Sequence, residues 1–237
     1  MGLAFRDRDQ EGALKQHASL LVLGLILTMA EPVTAQTSTK TESWREHVTA
    51  FTAKLYGQFT DGHNRRDYFW ARKLAAIDRV TLDDDVMFAA AYLHDVGSME
   101  GWQVQGQEHG DTAASKLDQM LAGTDFPKEK MDRVREAMRT HMFYREAGPS
   151  PEARYLHDAD ALDNVGTVGT AALLVYTDDK GNGLSSQKAV DILTNGAPKI
   201  EKGAVTPAGK AEMETRITER KAFLDQLSRE TDGFKLF

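Results

Sequence analysis

An all-α helical bundle is the fold that this sequence of 237 residues predicts. Three observations carry it. Apolar residues recur every three or four positions over most of residues 43–230, the period of one helix face. No stretch shows sustained alternation of apolar and polar residues, so strands are not needed. Residues suited to helix ends, such as Gly97, Gly123 and Pro127, stand between the periodic stretches.

The elements follow in order. In SWREHVTAFTAKLYGQF (43–59), Trp44, Val48, Phe51, Leu55 and Phe59 form one apolar stripe. A second helix is expected over NRRDYFWARKLAAI (64–77) and a third over the Ala-rich LDDDVMFAAAYLHD (82–95), stopped by Gly97. GDTAASKLDQML (110–121) opens with Asp111, suited to an N-terminal turn, and ends before Gly123. PKEKMDRVREAMRTHM (127–142) has Pro at a first-turn position, then Met131, Val134 and Met138 on one side. PEARYLHDADALDNVGTVGTAALLVY (151–176) predicts one or two helices broken near Gly166 or Gly169. Residues 177–208, rich in Gly, Asp, Lys and Ser, predict a long loop with one short helix at 186–193. DDKGNG (178–183) faintly resembles a calcium loop, but Lys180 stands at an oxygen-ligand position and Ala189 where Glu should close the loop, so no calcium site is expected. KAEMETRITERKAFLDQLSRE (210–230) predicts a long closing helix, strongly charged on one face.

The first residues differ from the rest. Arg6, Arg8 and Lys15 precede ASLLVLGLILTMA (18–30), which is short for a membrane span but suits the core of a signal peptide. Val33 and Ala35 supply small residues for cleavage before Gln36, while Asp7, Asp9 and Glu11 leave an uncleaved anchor as the alternative. The expected organisation is a signal peptide at 1–35, a flexible lead-in at 36–42 and a helical domain at 43–237. Export to the periplasm or the exterior is expected, with no membrane attachment after cleavage.

Composition narrows the chemistry. The formal net charge is −7 and Lys and Arg are not clustered, which argues against a nucleic-acid polymer as partner. There is no cysteine, so thiolate nucleophiles and Cys-based zinc sites are excluded and any metal must be held by His, Asp and Glu. The tetrapeptide YLHD occurs at 92–95 and again at 155–158, but the surrounding residues do not match, so a repeat is not supported. His141 continues the Met131, Val134, Met138 stripe; His109 lies four before Ala113 and eight before Leu117; His94 lies four after Ala90. One imidazole on an apolar face is ordinary core. Several on different helices need partners together, and a metal satisfies several at once.

At these residues the sequence resembles the HD-domain metal-dependent phosphohydrolases. Their series of a His, a His-Asp doublet at a helix end and a distant Asp is similar to His63 in DGHNRRDYFWARKLA, His94-Asp95 in YLHDVG and Asp160 in HDADALDNVG. A branch with two further histidines matches at His109 in EHGDTAASKL and His141 in MRTHMFY, and the resemblance spans roughly residues 43–230. It implies an HD-type bundle in which His63, His94, Asp95 and Asp160 hold one divalent ion. His109 and His141 would add a second, with Asp95 bridging. Mn, Fe, Mg, Co, Ni or Zn would suit this donor set. The implied reaction is hydrolysis of a nucleotide or another small phosphate ester by metal-activated water.

Three neighbours have two readings each. Arg66, one turn after His63, would neutralise a phosphate oxygen, or else is a surface Arg paired with Asp67 or Asp61. Asp163, one turn after Asp160, would orient a ligand or capture a proton, or else stabilise its helix. His157 would line the site entrance or pack structurally, and an independent His157-Asp158 metal site is disfavoured. NRRDYF, after His63, is more polar and aromatic than the family's aliphatic pattern. Two rival functions fit related ligand sets: a diiron HD-type oxygenase that cleaves a C–C or C–P bond, and a non-catalytic metal- or ligand-binding module.

Overall fold

Eleven α-helices and no strand are found among the described residues of the computed structural model, which are 43–56, 58–175 and 185–236. The expected signal peptide, the lead-in and DDKGNG lie outside them. The helices are α1 (Trp44–Leu55), α2 (Gln58–Ile77), α3 (Asp84–Leu93), α4 (His109–Ser115), α5 (Leu117–Met120), α6 (Met131–Thr140), α7 (Pro151–Val165), α8 (Thr167–Val175), α9 (Ser186–Asp191), α10 (Ala197–Ile200) and α11 (Pro207–Glu230).

The sequence starts these helices with side-chain caps. Ser43 and Glu46 form a reciprocal capping box on α1, Asp83 accepts from Asp85 N and Val86 N at α3, Ser150 precedes Pro151 at α7, and Thr206 precedes Pro207 at α11. At the centre lies α3, in which every residue from Val86 to Leu93 is buried. Its Ala89, Ala90 and Ala91 are fully buried and small, which lets α2, α6 and α7 pack against it. Trp44 of α1 closes one end, edge-on to Phe88 at 5.5 Å and to Phe126 at 4.8 Å. Along α7 runs α11, whose Arg216 donates to the Leu162 carbonyl at 2.6 Å and lies 4.2 Å over the Trp70 ring of α2.

Four expectations change. Helix α2 begins at Gln58, so His63 sits inside a helix and not ahead of one. The single helix expected at 110–121 is two, divided at Lys116, whose ammonium reaches back to the Trp102 carbonyl. The helix expected from Pro127 starts at Met131, after a 3-10 turn at Lys128–Lys130. Of the loop expected at 177–208, residues 186–200 are helical, with α9 running through a π turn at Ile192–Gly196 into α10. Ser185 caps this stretch, and Ala189, Val190 and Leu193 bury one side of it, a short stripe beside glycines and charges. The break after α7 falls at Gly166, as the sequence predicts.

Candidate metal centre

Five elements bring the expected ligands to one place. His63 comes from α2, His94 caps the C-terminus of α3 and Asp95 follows it, His109 opens α4, His141 caps α6, and Asp160 lies on α7. The pairs α2–α3, α2–α7, α3–α6, α4–α6 and α6–α7 are all in contact. Gly97 permits part of this: a Cβ there would meet the His109 carbonyl oxygen at 2.1 Å, so only glycine lets α4 close on the His94-Asp95 turn.

Asp95 stands in the middle. Its Oδ1 lies 3.5 Å from His94 Nε2, 3.3 Å from His109 Nε2 and 3.8 Å from His141 Nε2, while its Oδ2 lies 3.6 Å from His63 Nε2. Asp160 Oδ1 is 3.4 Å from His63 Nε2, and His109 Nε2 and His141 Nε2 are 3.1 Å apart. Donors sharing one ion at about 2.0–2.2 Å each would stand roughly 3–3.5 Å apart. Four of the six separations fall in that range, and those from Asp95 to His63 and to His141 are 0.1–0.3 Å longer.

The other ring nitrogens decide what the inward ones can do. His63 Nδ1 is 2.8 Å from Asp163 Oδ2, His94 Nδ1 is 3.0 Å from the Ala91 carbonyl and His141 Nδ1 is 2.7 Å from the Met138 carbonyl. Each partner is an acceptor, so Nδ1 carries the hydrogen, and in the neutral ring Nε2 turns a lone pair inward. Buried lone pairs aimed at buried carboxylates repel unless a cation lies between them. His94 Nε2 is buried with no hydrogen-bond partner, as a nitrogen suited to ligate a cation would be.

Protonation equilibria show the same crowding. Burial draws the His63 imidazole down, but Asp67, Asp160, Asp163 and Asp95 outweigh it and hold its pKa well above the usual 6.5. Burial and the neighbouring His94 push His141 down to about 4. Burial works against ionising Asp95, yet His94, His109, His63 and His141 hold it well below the ordinary carboxylate range.

Arg66 Nε donates to Asp163 Oδ1 at 2.7 Å and its Nη2 to Asp163 Oδ2 at 2.9 Å, so two of its nitrogens clamp Asp163. Asp163 in turn holds His63. Of the two readings of Asp163, the geometry is that of an orienting group. His157 is buried with Nε2 3.3 Å from the Arg145 carbonyl, and Asp158 accepts from Val205 N at 2.8 Å, Thr206 N at 2.8 Å and Thr206 Oγ1 at 2.5 Å. The second YLHD is structural: it tethers the start of α11.

One residue of the centre escaped the sequence reading. Asp67 is fully buried, its Oδ2 3.2 Å from His63 Nε2 and 3.7 Å from His94 Nε2. The signal was present, because a residue four beyond His63 on one helix shares its face.

Residues 60–165 match the HD domain family. The chain carries an HD domain. No curated protein sequence matches it. Among solved structures, Bacillus subtilis YpgQ is similar at 21% identity and a TM-score of 0.59, covering 80% of this chain and 96% of that one. YpgQ in complex with ADP gives 22% and 0.60, covering 79% and 94%. An HD-superfamily hydrolase from Bacillus thuringiensis gives 21% and 0.60, covering 79% and 96%. At these identities the likeness is one of fold.

Proposed function

We propose that this HD-domain protein is a divalent-metal-dependent phosphohydrolase acting on a nucleotide or another small phosphate ester. The observation that carries this reading is the set of imidazoles with Nδ1 committed and Nε2 turned on shared carboxylates. His63, His94, Asp95 and Asp160 would hold one ion, and His109 and His141, with Asp95, a second. When bound, such ions supply Lewis acidity to a phosphoryl oxygen and acidify a water.

The chain's own residues do the rest. Asp95 offers one oxygen to His63 and the other to His94, His109 and His141, the arrangement a bridging carboxylate needs. Asp163 fixes the His63 ring, and Arg66 fixes Asp163. The side chains of His109 and Asp95 keep 24% and 22% exposure, so this side of the centre admits a small ligand. The YpgQ complex with ADP supports a nucleotide-type ligand. The stretch at 1–35 supports export, which N-terminal sequencing from Gln36 of extracytoplasmic protein would test.

The decisive assay is a nucleotide and phosphate-ester panel run with each candidate ion on metal-free protein. Hydrolysis in heavy-oxygen water should place the label in the phosphate product, and turnover should persist without dioxygen. Turnover strictly dependent on dioxygen, with no ester hydrolysed under any ion, would move the protein to the oxygenase class. Tight ion binding with no turnover of any kind would leave a binding module.

A further inference from the structure

Asp67 is the unexplained group in this centre. Both its oxygens are buried without a hydrogen-bond partner. A carboxylate at that depth normally takes N–H donors or an Arg or Lys fork. The adjacent Arg66 directs Nε and Nη2 to Asp163 instead. What Asp67 faces is His63 Nε2 at 3.2 Å and His94 Nε2 at 3.7 Å, nitrogens that in the neutral rings are acceptors and metal donors. His63, Asp67, His94 and Asp160 each offer an atom within 4.8 Å of the others.

We infer that Asp67 is itself a ligand of the ion held by His63, His94 and Asp160, an inference that rests on the metal-centre reading above. The position is dictated by α2, which turns residues 63 and 67 to one side. With Asp95 and Asp160 it makes three protein carboxylates around two imidazoles. That donor set is harder than one built on imidazoles alone and favours an oxygen-seeking ion such as Mn2+ or Mg2+. It also leaves this ion one position fewer for water or substrate, so the more accessible His109–His141 side would receive the ligand.

The test is a titration of chelator-stripped, full-length protein with Mn2+, comparing wild type with Asp67→Asn, nearly the same shape without the charge. The affinity of one ion should fall by more than roughly a hundredfold, beyond the 10–100-fold loss usual for a merely orienting partner. The Mn2+-induced rise in unfolding temperature should shrink, whereas a merely structural carboxylate would leave that rise unchanged. Carbon-13 ENDOR on Mn2+-loaded wild type labelled at Asp carboxylates needs no variant, and three coupled carboxylates are expected where a centre without Asp67 shows two. Wild type that binds Mn2+ with Asp67→Asn binding it equally overturns this inference alone. Wild type that binds no divalent ion overturns the metal-centre reading itself.

Discussion

His63 shows how much one side chain's behaviour depends on what holds its far nitrogen. Asp163 accepts from Nδ1 and is clamped by two nitrogens of Arg66, so the ring cannot turn away from Asp95 and Asp160. Asp163→Asn keeps the shape but weakens the acceptor and the ion pair. Divalent-ion affinity should drop about 10–100-fold, as is usual for a partner that orients a ligand, with helicity unchanged in circular dichroism. Arg66→Gln should give a smaller loss in the same titration, because Asp163 keeps its bond to His63. An Arg66→Gln enzyme with unchanged ion affinity but much lower turnover would return Arg66 to the role of phosphate contact.

At the scale of elements, the two YLHD tetrapeptides divide labour by where their helices end. The first sits at the end of α3, so His94 and Asp95 leave the helix facing four neighbours. The second lies inside α7, where the same two residues face the start of α11. Asp158 serves that junction so closely that a Cβ at Gly209 would meet its Oδ2 at 2.0 Å. Asp158→Ala orphans buried amide donors and should cost roughly 2–4 kcal/mol in urea unfolding, with ion stoichiometry intact. Loss of ions at full stability would contradict the structural assignment. Gly97→Ala should act oppositely, forcing α4 off the His94-Asp95 turn and lowering occupancy of the His109–His141 side first, a change that ion analysis against circular dichroism would separate from unfolding.

For the whole molecule, the helices were largely legible because each stripe had a cap or a stop beside it, as with Ser150-Pro151 before α7 and Gly166 after it. Helix α2 begins earlier than the sequence predicts, because packing on α3 and α7 carries it through Gly62. His94, His109 and His141 were legible on inward faces, His63, Asp95 and Asp160 through the family resemblance, and the structure gathers all six. Asp67 shares a helix face with His63, but its burial, like the Arg66–Asp163 clamp, is set by how α2 meets α7, which spacing along one helix does not encode. Five helices carry ligands to a shared knot of carboxylates, so stripping divalent ions with a chelator should lower the unfolding temperature by several degrees. Refilling with the native ion should restore it.

The most direct measurement is the metal content of purified full-length protein set beside Asp95→Ala. Among the described residues, Asp95 is the one carboxylate within 4 Å of all four imidazoles of the centre, through Oδ2 for His63 and Oδ1 for His94, His109 and His141. Wild type should carry one to two divalent ions per chain and folded Asp95→Ala almost none. Folded wild type without divalent ions, or Asp95→Ala with its ions unchanged, would contradict the assignment of this cluster as a metal centre bridged by Asp95.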